Sequence, residues 1–180
     1  MQIGQTGAVP LSVVILCSGN AARSVMAGAA LRSLLPDVEV MTAGTHVIEG
    51  QPMSQRTKLA LDSVGLQAIG HRSRQVHPDH LRSADLVVAL APEHVRWVRV
   101  NHPDAAARTV TLRRLVRDVA EYDLDALALD RIEIEPWEEV ADPAGGEQPD
   151  FDACAAEIVA LVGALARALE TRPEIQRVRR

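Results

Sequence analysis

The residues best suited to chemistry are a cysteine and an arginine that share one short loop. Cys17 ends an apolar run, five residues follow it, and Arg23 and Ser24 come next. A loop of that length can wrap its backbone N–H groups around one small oxyanion. A thiolate is a nucleophile favoured by nearby cations and helix N-termini, and an arginine fork grips two phosphate oxygens. The spacing therefore predicts that Cys17 and Arg23 face the same anion, such as phosphate.

Covalent transfer of a phosphoryl group also needs a proton donor for the leaving group. Asp142 precedes Pro143 in a Gly/Pro-rich segment and is the first candidate for this donor. Asp104 and Asp150 are its rivals. Two plainer interpretations stay open on these residues alone, because buried cysteines are common and Asp-Pro pairs often only start a turn.

These residues must be positioned by strands and helices that alternate along the chain. Continuous apolar, β-branched segments predict buried strands at residues 12–17, 38–42, 85–91 and 108–112. Apolar periodicity with Pro and Gly boundary signals predicts helices at residues 23–35, 52–64, 92–100 and 151–169. The intervening residues 113–150 are predicted to form short helix and long loop.

This alternation predicts the fold class and the location of the site. It is typical of an α/β domain with a central four-stranded parallel sheet and helices on both faces, a Rossmann-like three-layer arrangement. Ligands of such folds bind beyond the carboxyl ends of the strands. Cys17 ends the first predicted strand, so its position in the chain places it at that edge.

Length and charge limit the class of protein further. The 180 residues predict one domain at 11–170, with an N-terminal tail at 1–10 and a charged C-terminal tail at 171–180. A net charge of −5 argues against a partner that is a nucleic acid. No apolar segment is long enough to predict insertion into a membrane.

Cysteine usage bears on cofactors and compartment. The two cysteines, Cys17 and Cys154, lack metal-ligand spacing, so neither a metal nor another cofactor is predicted. Without a disulfide framework, the chain is predicted to work in the reducing cytoplasm. Arginine outnumbers lysine, since Lys58 is the only lysine, and alanine is abundant. That composition is typical of a bacterium with GC-rich DNA.

Several segments, taken in order, resemble the low-molecular-weight protein tyrosine phosphatase family. The segment from Val14 to Ser24 is similar to the phosphate loop of that family. Further matching segments follow along the chain: Thr42-Ala43-Gly44-Thr45, Gly70-His71-Arg72-Ser73-Arg74-Gln75, Asp85-Leu86-Val87-Val88 with Glu93-His94, and Asp142-Pro143. The resemblance covers residues 11–170 and implies a phosphotyrosine phosphatase I-like fold.

The resemblance also implies a metal-free, two-step hydrolysis of phosphomonoesters. Cys17 would form a phosphocysteine, Arg23 and the backbone N–H groups of residues 18–23 would hold the oxygens, and Asp142 would move the proton. Ser24 would support the thiolate. The residues that bind phosphate or support the loop would be Ser18, Gly19, Asn20, Ala21, Ala22, Ser24 and His71, with His71 hydrogen-bonded to Asn20. The implied partner is a protein carrying phosphotyrosine, or a small phosphomonoester.

The chain also departs from the family's pattern. Many relatives have a second cysteine in the loop where this chain has Ala22, so a protective disulfide inside the loop is not possible here. The predicted pocket wall consists of Val47, Ile48 and Ala144, where the family often has aromatic side chains. Lost stacking weakens contact with an aryl phosphate by about 1 kcal/mol for each aromatic side chain.

Two other functions remain open at this point. One is an arsenate reductase that draws on an external thiol, because arsenate resembles phosphate. A relay of thiols within the chain needs further cysteines positioned to attack the first sulfur. Cys154 is predicted instead to lie on the apolar face of the last helix. The other function is a phosphate-binding module without turnover.

Overall fold

The main sheet has four parallel strands, with the cysteine-bearing strand near its centre. The computed structural model describes residues 8–119, 128–170 and 177–179. Within these ranges the strands are β1 (Ala8–Pro10), β2 (Ser12–Cys17), β3 (Glu39–Gly44), β4 (Leu86–Ala89), β5 (Thr109–Thr111) and β6 (Arg177–Arg179). The main sheet has the order β3-β2-β4-β5, and all neighbouring pairs are parallel. The predicted four-stranded parallel sheet is confirmed.

Helices connect these strands. In the described part of the chain they are α1 (Arg23–Leu34), α2 (Gln55–Ser63), α3 (Pro78–Ser83), α4 (Pro92–Asn101), α5 (Pro103–Ala106), α6 (Leu112–Asp118) and α7 (Gln148–Glu170). Single 3-10 turns lie at Leu129–Arg131 and Pro136–Glu138. The four predicted helices are all present, as α1, α2, α4 and α7.

The element boundaries differ from the predicted ones where a side chain caps a helix. Helix α2 begins after Ser54, whose hydroxyl accepts a hydrogen bond from the Thr57 N–H at 3.1 Å. Thr111 caps α6 in the same way, so Leu112 begins a helix where the sequence predicted the end of a strand. Helices α3 and α5 were not predicted. Such short helices are unstable in isolation and depend on tertiary packing, which local patterns do not reveal.

The two faces of the sheet bury separate apolar clusters. Val13, Ile15 and Cys17 on β2 share one cluster with buried residues of α1, α2, α6 and α7. Val14 and Leu16 point the other way, into a cluster with residues of α3, α4 and α5. Alternate residues of a strand face opposite sides of its sheet, so an uninterrupted apolar strand requires cover on both sides. The predicted three-layer arrangement is confirmed.

The segments assigned from sequence to the two tails contain a short strand pair. Residues 8–10 and 177–179 pair as antiparallel strands, with Val9 opposite Val178. Residues 1–7, 171–176 and 180 lie outside the described part of the chain, so the domain limits at 11 and 170 stay a prediction. Helix α7 is the longest described helix, and no helix in the described ranges has both the length and the apolar character to cross a membrane.

The ends of β2 and β3 approach too closely for any side chain at Gly44. Gly44 pairs with Cys17 in the sheet, and its N–H and C=O groups also bond to Arg74 and Val76. A Cβ atom at residue 44 would overlap the Ser18 carbonyl oxygen and the Val47 side chain. The loop that follows Cys17 can therefore hold its position only because residue 44 is glycine.

We predict that Gly44→Ala destabilises the protein and disturbs the loop after Cys17. Overpacking of this kind costs about 1–3 kcal/mol, measurable by urea unfolding followed by tryptophan fluorescence. Gly163→Ala in α7 is the matched control, because its Cβ would meet only the Arg167 side chain, at 3.5 Å. Equal unfolding free energies for the two variants would contradict this explanation of Gly44.

Candidate active site

The loop between β2 and α1 is shaped to bind an anion. Its residues 18–22 leave the carboxyl end of the sheet and turn directly into the first turn of α1. None of their backbone N–H groups donates a hydrogen bond to another residue of the described chain. Asn20 adopts a left-handed conformation, with φ of 50°, which asparagine tolerates better than most residues. Free N–H groups in such a turn, next to a helix N-terminus, are suited to hold an oxyanion.

A directed chain of hydrogen bonds ends at the Cys17 sulfur. The Arg74 N–H donates to Asn20 Oδ1 at 2.9 Å, which fixes the orientation of the asparagine amide. Asn20 Nδ2 then donates to Ser24 Oγ at 2.9 Å. Ser24 Oγ lies 3.0 Å from Cys17 Sγ. Because the serine oxygen already accepts from the amide, its own proton is free to point to the sulfur.

Histidine 71 holds the same loop from outside. Its Nε2 lies 2.8 Å from the Asn20 carbonyl oxygen, so this nitrogen donates and the oxygen accepts. Burial lowers the pKa of His71, the hydrogen bond to Asn20 opposes that shift, and the nearby Arg32 adds to it. The expected contact between His71 and Asn20 is therefore present, and it reaches the backbone rather than the side chain of Asn20.

Arg23 links the loop to a distant segment of the chain. Its side chain is only 2% exposed, and Nη2 lies 2.5 Å from Asp142 Oδ2. The other terminal nitrogen donates to the Val140 carbonyl at 3.3 Å. Asp142 is 39% exposed, and its second oxygen accepts from the Ala144 N–H at 3.0 Å. Asp142 therefore both starts a turn and reaches the arginine beside the cysteine.

The segment that carries Asp142 is attached to the edge of the sheet. The Val140 N–H donates to the Leu90 carbonyl, just beyond β4, at 2.9 Å. Two residues earlier, the buried Glu138 accepts from Arg114 and from the Thr111 hydroxyl, each at 2.5 Å. Burial alone would raise the pKa of Glu138, but the hydrogen bonds from Arg114, the Thr111 hydroxyl and the Glu135 N–H together outweigh burial and lower that pKa. This anchor holds the start of the segment while Asp142 stays partly open to solvent.

The other candidates lie elsewhere or have other partners. Asp150 accepts from the Glu147 N–H at 2.7 Å, at the start of α7. Asp104 lies on the exposed surface of α5. Cys154 is buried among apolar residues, as predicted, and burial, followed by Glu157, raises the pKa of its thiol to about 12. A thiol that stays protonated is a poor attacking group for a relay.

The predicted wall residues differ in accessibility. Val47 is half-buried beside Gly44, whereas Ile48 and Ala144 are exposed. Their role as walls of the substrate pocket stays a prediction.

Among the described residues, no group of three His, Cys, Asp or Glu side chains could hold a metal ion.

Three residues that contact the loop were given no role from the sequence. Arg74 orients Asn20, as described above. The His46 N–H donates to the Ser18 carbonyl at 3.0 Å. The buried His94, in α4, has Nε2 3.0 Å from Ser18 Oγ. Arg74 and His94 belong to the segments that resemble the family, but no local pattern in the sequence indicates that they contact this loop.

The geometry matches what is expected of a cysteine-dependent phosphatase. A free cysteine ends a parallel strand, the loop after it has free N–H groups, and a buried arginine pairs with an aspartate. The family model for low molecular weight phosphotyrosine protein phosphatase matches residues 12–175. The chain therefore belongs to the low-molecular-weight phosphotyrosine protein phosphatase family, and it is a cysteine-dependent phosphatase that acts on phosphorylated substrates.

Individual relatives agree with this assignment. A protein-arginine-phosphatase of Geobacillus stearothermophilus is 32% identical over 91% of this chain and 99% of its own length. A low molecular weight protein-tyrosine-phosphatase of Streptomyces coelicolor is 33% identical over 79% of this chain and 83% of its own. The solved structure of the YwlE arginine phosphatase from G. stearothermophilus has a TM-score of 0.77 at 30% identity, covering 95% of this chain and all of that one. These relatives do not favour the arsenate reductase or the binding module.

We predict that His94 makes stability depend on pH. Burial, with smaller contributions from Arg23 and His46, lowers the pKa of His94 from 6.5 to about 3. The unfolded chain takes up this proton near pH 6.5 and the folded protein does not, so the free energy of unfolding falls as pH is lowered from 6.5 towards 3. Between pH 7.5 and pH 5 the loss from this one residue is about 2 kcal/mol.

Urea unfolding of the wild type and of His94→Gln at both pH values measures this effect. Glutamine does not titrate, so the variant should lose less stability on acidification than the wild type. Other histidines contribute equally to both proteins and cancel in the difference. An identical loss in the two proteins would show that His94 does not remain neutral in the fold.

Proposed function

We propose that Cys17 is the nucleophile of a protein phosphatase that works through a phosphocysteine. The observation that supports this most directly is the hydrogen-bond chain from Asn20 through Ser24 to the Cys17 sulfur. A serine proton pointed at the sulfur stabilises the thiolate, which attacks phosphorus while the bond from phosphorus to the leaving group breaks. Arg23 and the N–H groups of residues 18–23 hold the remaining phosphoryl oxygens, whose charge they balance in the transition state.

We further propose that Asp142 is the general acid and base. Its protonated carboxyl gives a proton to the departing atom of the substrate in the first step. In the second step the carboxylate takes a proton from water, the water oxygen bonds to phosphorus, and the bond to sulfur breaks. The 2.5 Å contact with Arg23 supports this role because it holds the carboxyl group at the loop. A phosphoryl group on Arg23 competes with that ion pair and frees the carboxyl for proton transfer.

Two substitutions test these roles with para-nitrophenyl phosphate in the presence of EDTA. Cys17→Ser should abolish turnover, whereas Cys154→Ser, at the other cysteine, should retain it. Asp142→Asn should lower kcat about 10²- to 10⁴-fold, the usual contribution of general acid–base catalysis. Asp150→Asn is its control, since asparagine can still accept a hydrogen bond at the start of α7.

The leaving group sharpens the test of Asp142. A poor leaving group depends more on protonation, so Asp142→Asn should harm the hydrolysis of phenyl phosphate more than that of para-nitrophenyl phosphate. Full activity of Cys17→Ser would contradict the phosphocysteine mechanism. Equal losses of activity in Asp142→Asn for the two esters would show that the general acid is another residue.

We propose phosphotyrosine on proteins as the first candidate substrate, with small phosphomonoesters as accessory ones. The description of the family to which the chain belongs names phosphotyrosine as the phosphorylated group.

Cys17 and Cys154 are both free thiols, and a nucleophilic thiol must stay reduced to act. That requirement supports the proposed location in the cytoplasm, where thiols are kept reduced.

Phosphoarginine is the second candidate, favoured by the charge around the loop. Asp142 bonds to Arg23, and the exposed Glu93 has an oxygen 3.6 Å from His94 Nε2, next to Ser18. Carboxylates on two sides of the loop attract a cationic guanidinium, while the wall positions Val47 and Ile48 offer no aromatic surface for a tyrosine ring. A relative that is 32% identical over nearly its full length is a protein-arginine-phosphatase.

Two peptides of one sequence, carrying phosphotyrosine or phosphoarginine, separate the candidates. If guanidinium recognition is correct, Glu93→Gln lowers kcat/KM for the phosphoarginine peptide about two- to fivefold, as expected for one exposed charge. The phosphotyrosine peptide should be unaffected or improved. Glu39→Gln, at the opposite end of the sheet, is the matched control. No hydrolysis of the phosphoarginine peptide by the wild type would leave phosphotyrosine as the substrate.

A further inference from the structure

A buried histidine outside the loop is in direct contact with the residue that follows the nucleophile. His94 is the third residue of α4, its side chain is only 1% exposed, and its Nε2 lies 3.0 Å from Ser18 Oγ. Ser18 is separated from it by 76 residues along the chain. The mechanism above makes no use of His94, although a buried polar side chain needs a partner.

The surroundings of His94 determine which ring nitrogen carries the proton. Nδ1 is buried and has no hydrogen-bond partner in the described part of the chain. A buried N–H without an acceptor is rarer in proteins than an acceptor with an unused lone pair. The proton is therefore assigned to Nε2, which donates to Ser18 Oγ, and the low pKa of His94 keeps the ring in this neutral form.

Ser18 is thereby held from two sides. Its carbonyl accepts from the His46 N–H at 3.0 Å, and its hydroxyl oxygen accepts from His94. Once the oxygen accepts this bond, the hydroxyl proton remains available for a further acceptor. The half-exposed Ser18 carries the first of the free backbone N–H groups of the loop. The orientation of Ser18 therefore determines the direction in which these N–H groups point.

We propose that His94 is a positioning residue, which holds the Ser18 hydroxyl through Nε2–H so that Ser18 presents its N–H and O–H groups to the phosphoryl group. This inference rests on the proposed function of the loop. The hydrogen bond between His94 and Ser18 affects anion binding. Other residues support the attacking Cys17 sulfur and the acid, Asp142. Its loss should therefore raise KM and leave kcat almost unchanged.

A double-mutant cycle tests the contact, using Ser18→Ala, His94→Met and their combination. His94→Met should raise both KM for para-nitrophenyl phosphate and the inhibition constant of inorganic phosphate about fivefold, the effect of one lost neutral hydrogen bond. In the Ser18→Ala background the same substitution should change neither constant. His94→Gln should restore most of the affinity, because the glutamine amide places a donor near the position of Nε2.

An equal effect of His94→Met in both backgrounds would overturn the proposal, because it would mean that the histidine only fills space. Long-range proton–nitrogen NMR of the wild-type protein is an independent measurement that needs no variant. Protonation of Nε2 supports the proposal, and protonation of Nδ1 overturns it. Calorimetry with inorganic phosphate separates this inference from the catalytic one: if phosphate binding depends on His94 but no ester is hydrolysed, the positioning role stands and the proposed function fails.

Discussion

The structure depends on keeping the Cys17 sulfur beside an oriented hydroxyl and a turn of free N–H groups, at the carboxyl end of a parallel sheet. The polar groups of such a turn keep their orientation only if neighbouring residues hold them. Here a chain of hydrogen bonds does so, from the Arg74 backbone through Asn20 and Ser24 to Cys17. Asn20 has two roles. Its left-handed backbone bends the loop, and its side-chain amide donates to Ser24, which leaves the Ser24 proton for the sulfur. The neighbouring strand touches this loop at Gly44, where a Cβ atom would overlap the Ser18 carbonyl oxygen.

The second constraint is a buried guanidinium. A charge that is almost fully removed from water requires a partner, and Arg23 finds two in one distant segment, the Val140 carbonyl and Asp142. This pairing holds a partly exposed carboxylate at the loop after Cys17 and attaches the distant segment to that loop. The residues before Asp142 are attached to the sheet through Glu138 and through the bond from the Val140 N–H to the Leu90 carbonyl, and Asp142 itself accepts from the Ala144 N–H.

Parts of the fold were predictable because their signals are local. An uninterrupted apolar strand such as β2 must be covered on both faces, and a helix such as α1 follows directly from its composition and from Pro36 beyond its end. The short helices α3 and α5 escaped prediction because their stability comes from packing under the sheet. The start of α6 escaped it because a single hydroxyl, that of Thr111, converts the end of a strand into a helix cap.

The sequence by itself determined that a cysteine, an arginine and a serine meet at one loop, because Cys17, Arg23 and Ser24 lie within eight residues and one loop geometry brings them together. Only the tertiary structure decided which other groups reach that loop. Asp142 and Arg23 are 119 residues apart, Ser18 and His94 are 76 apart, and Asn20 and Arg74 are 54 apart. The physical reason is that a turn of five residues constrains its own members, whereas contacts between distant segments depend on how the sheet orders its strands and aligns their carboxyl ends.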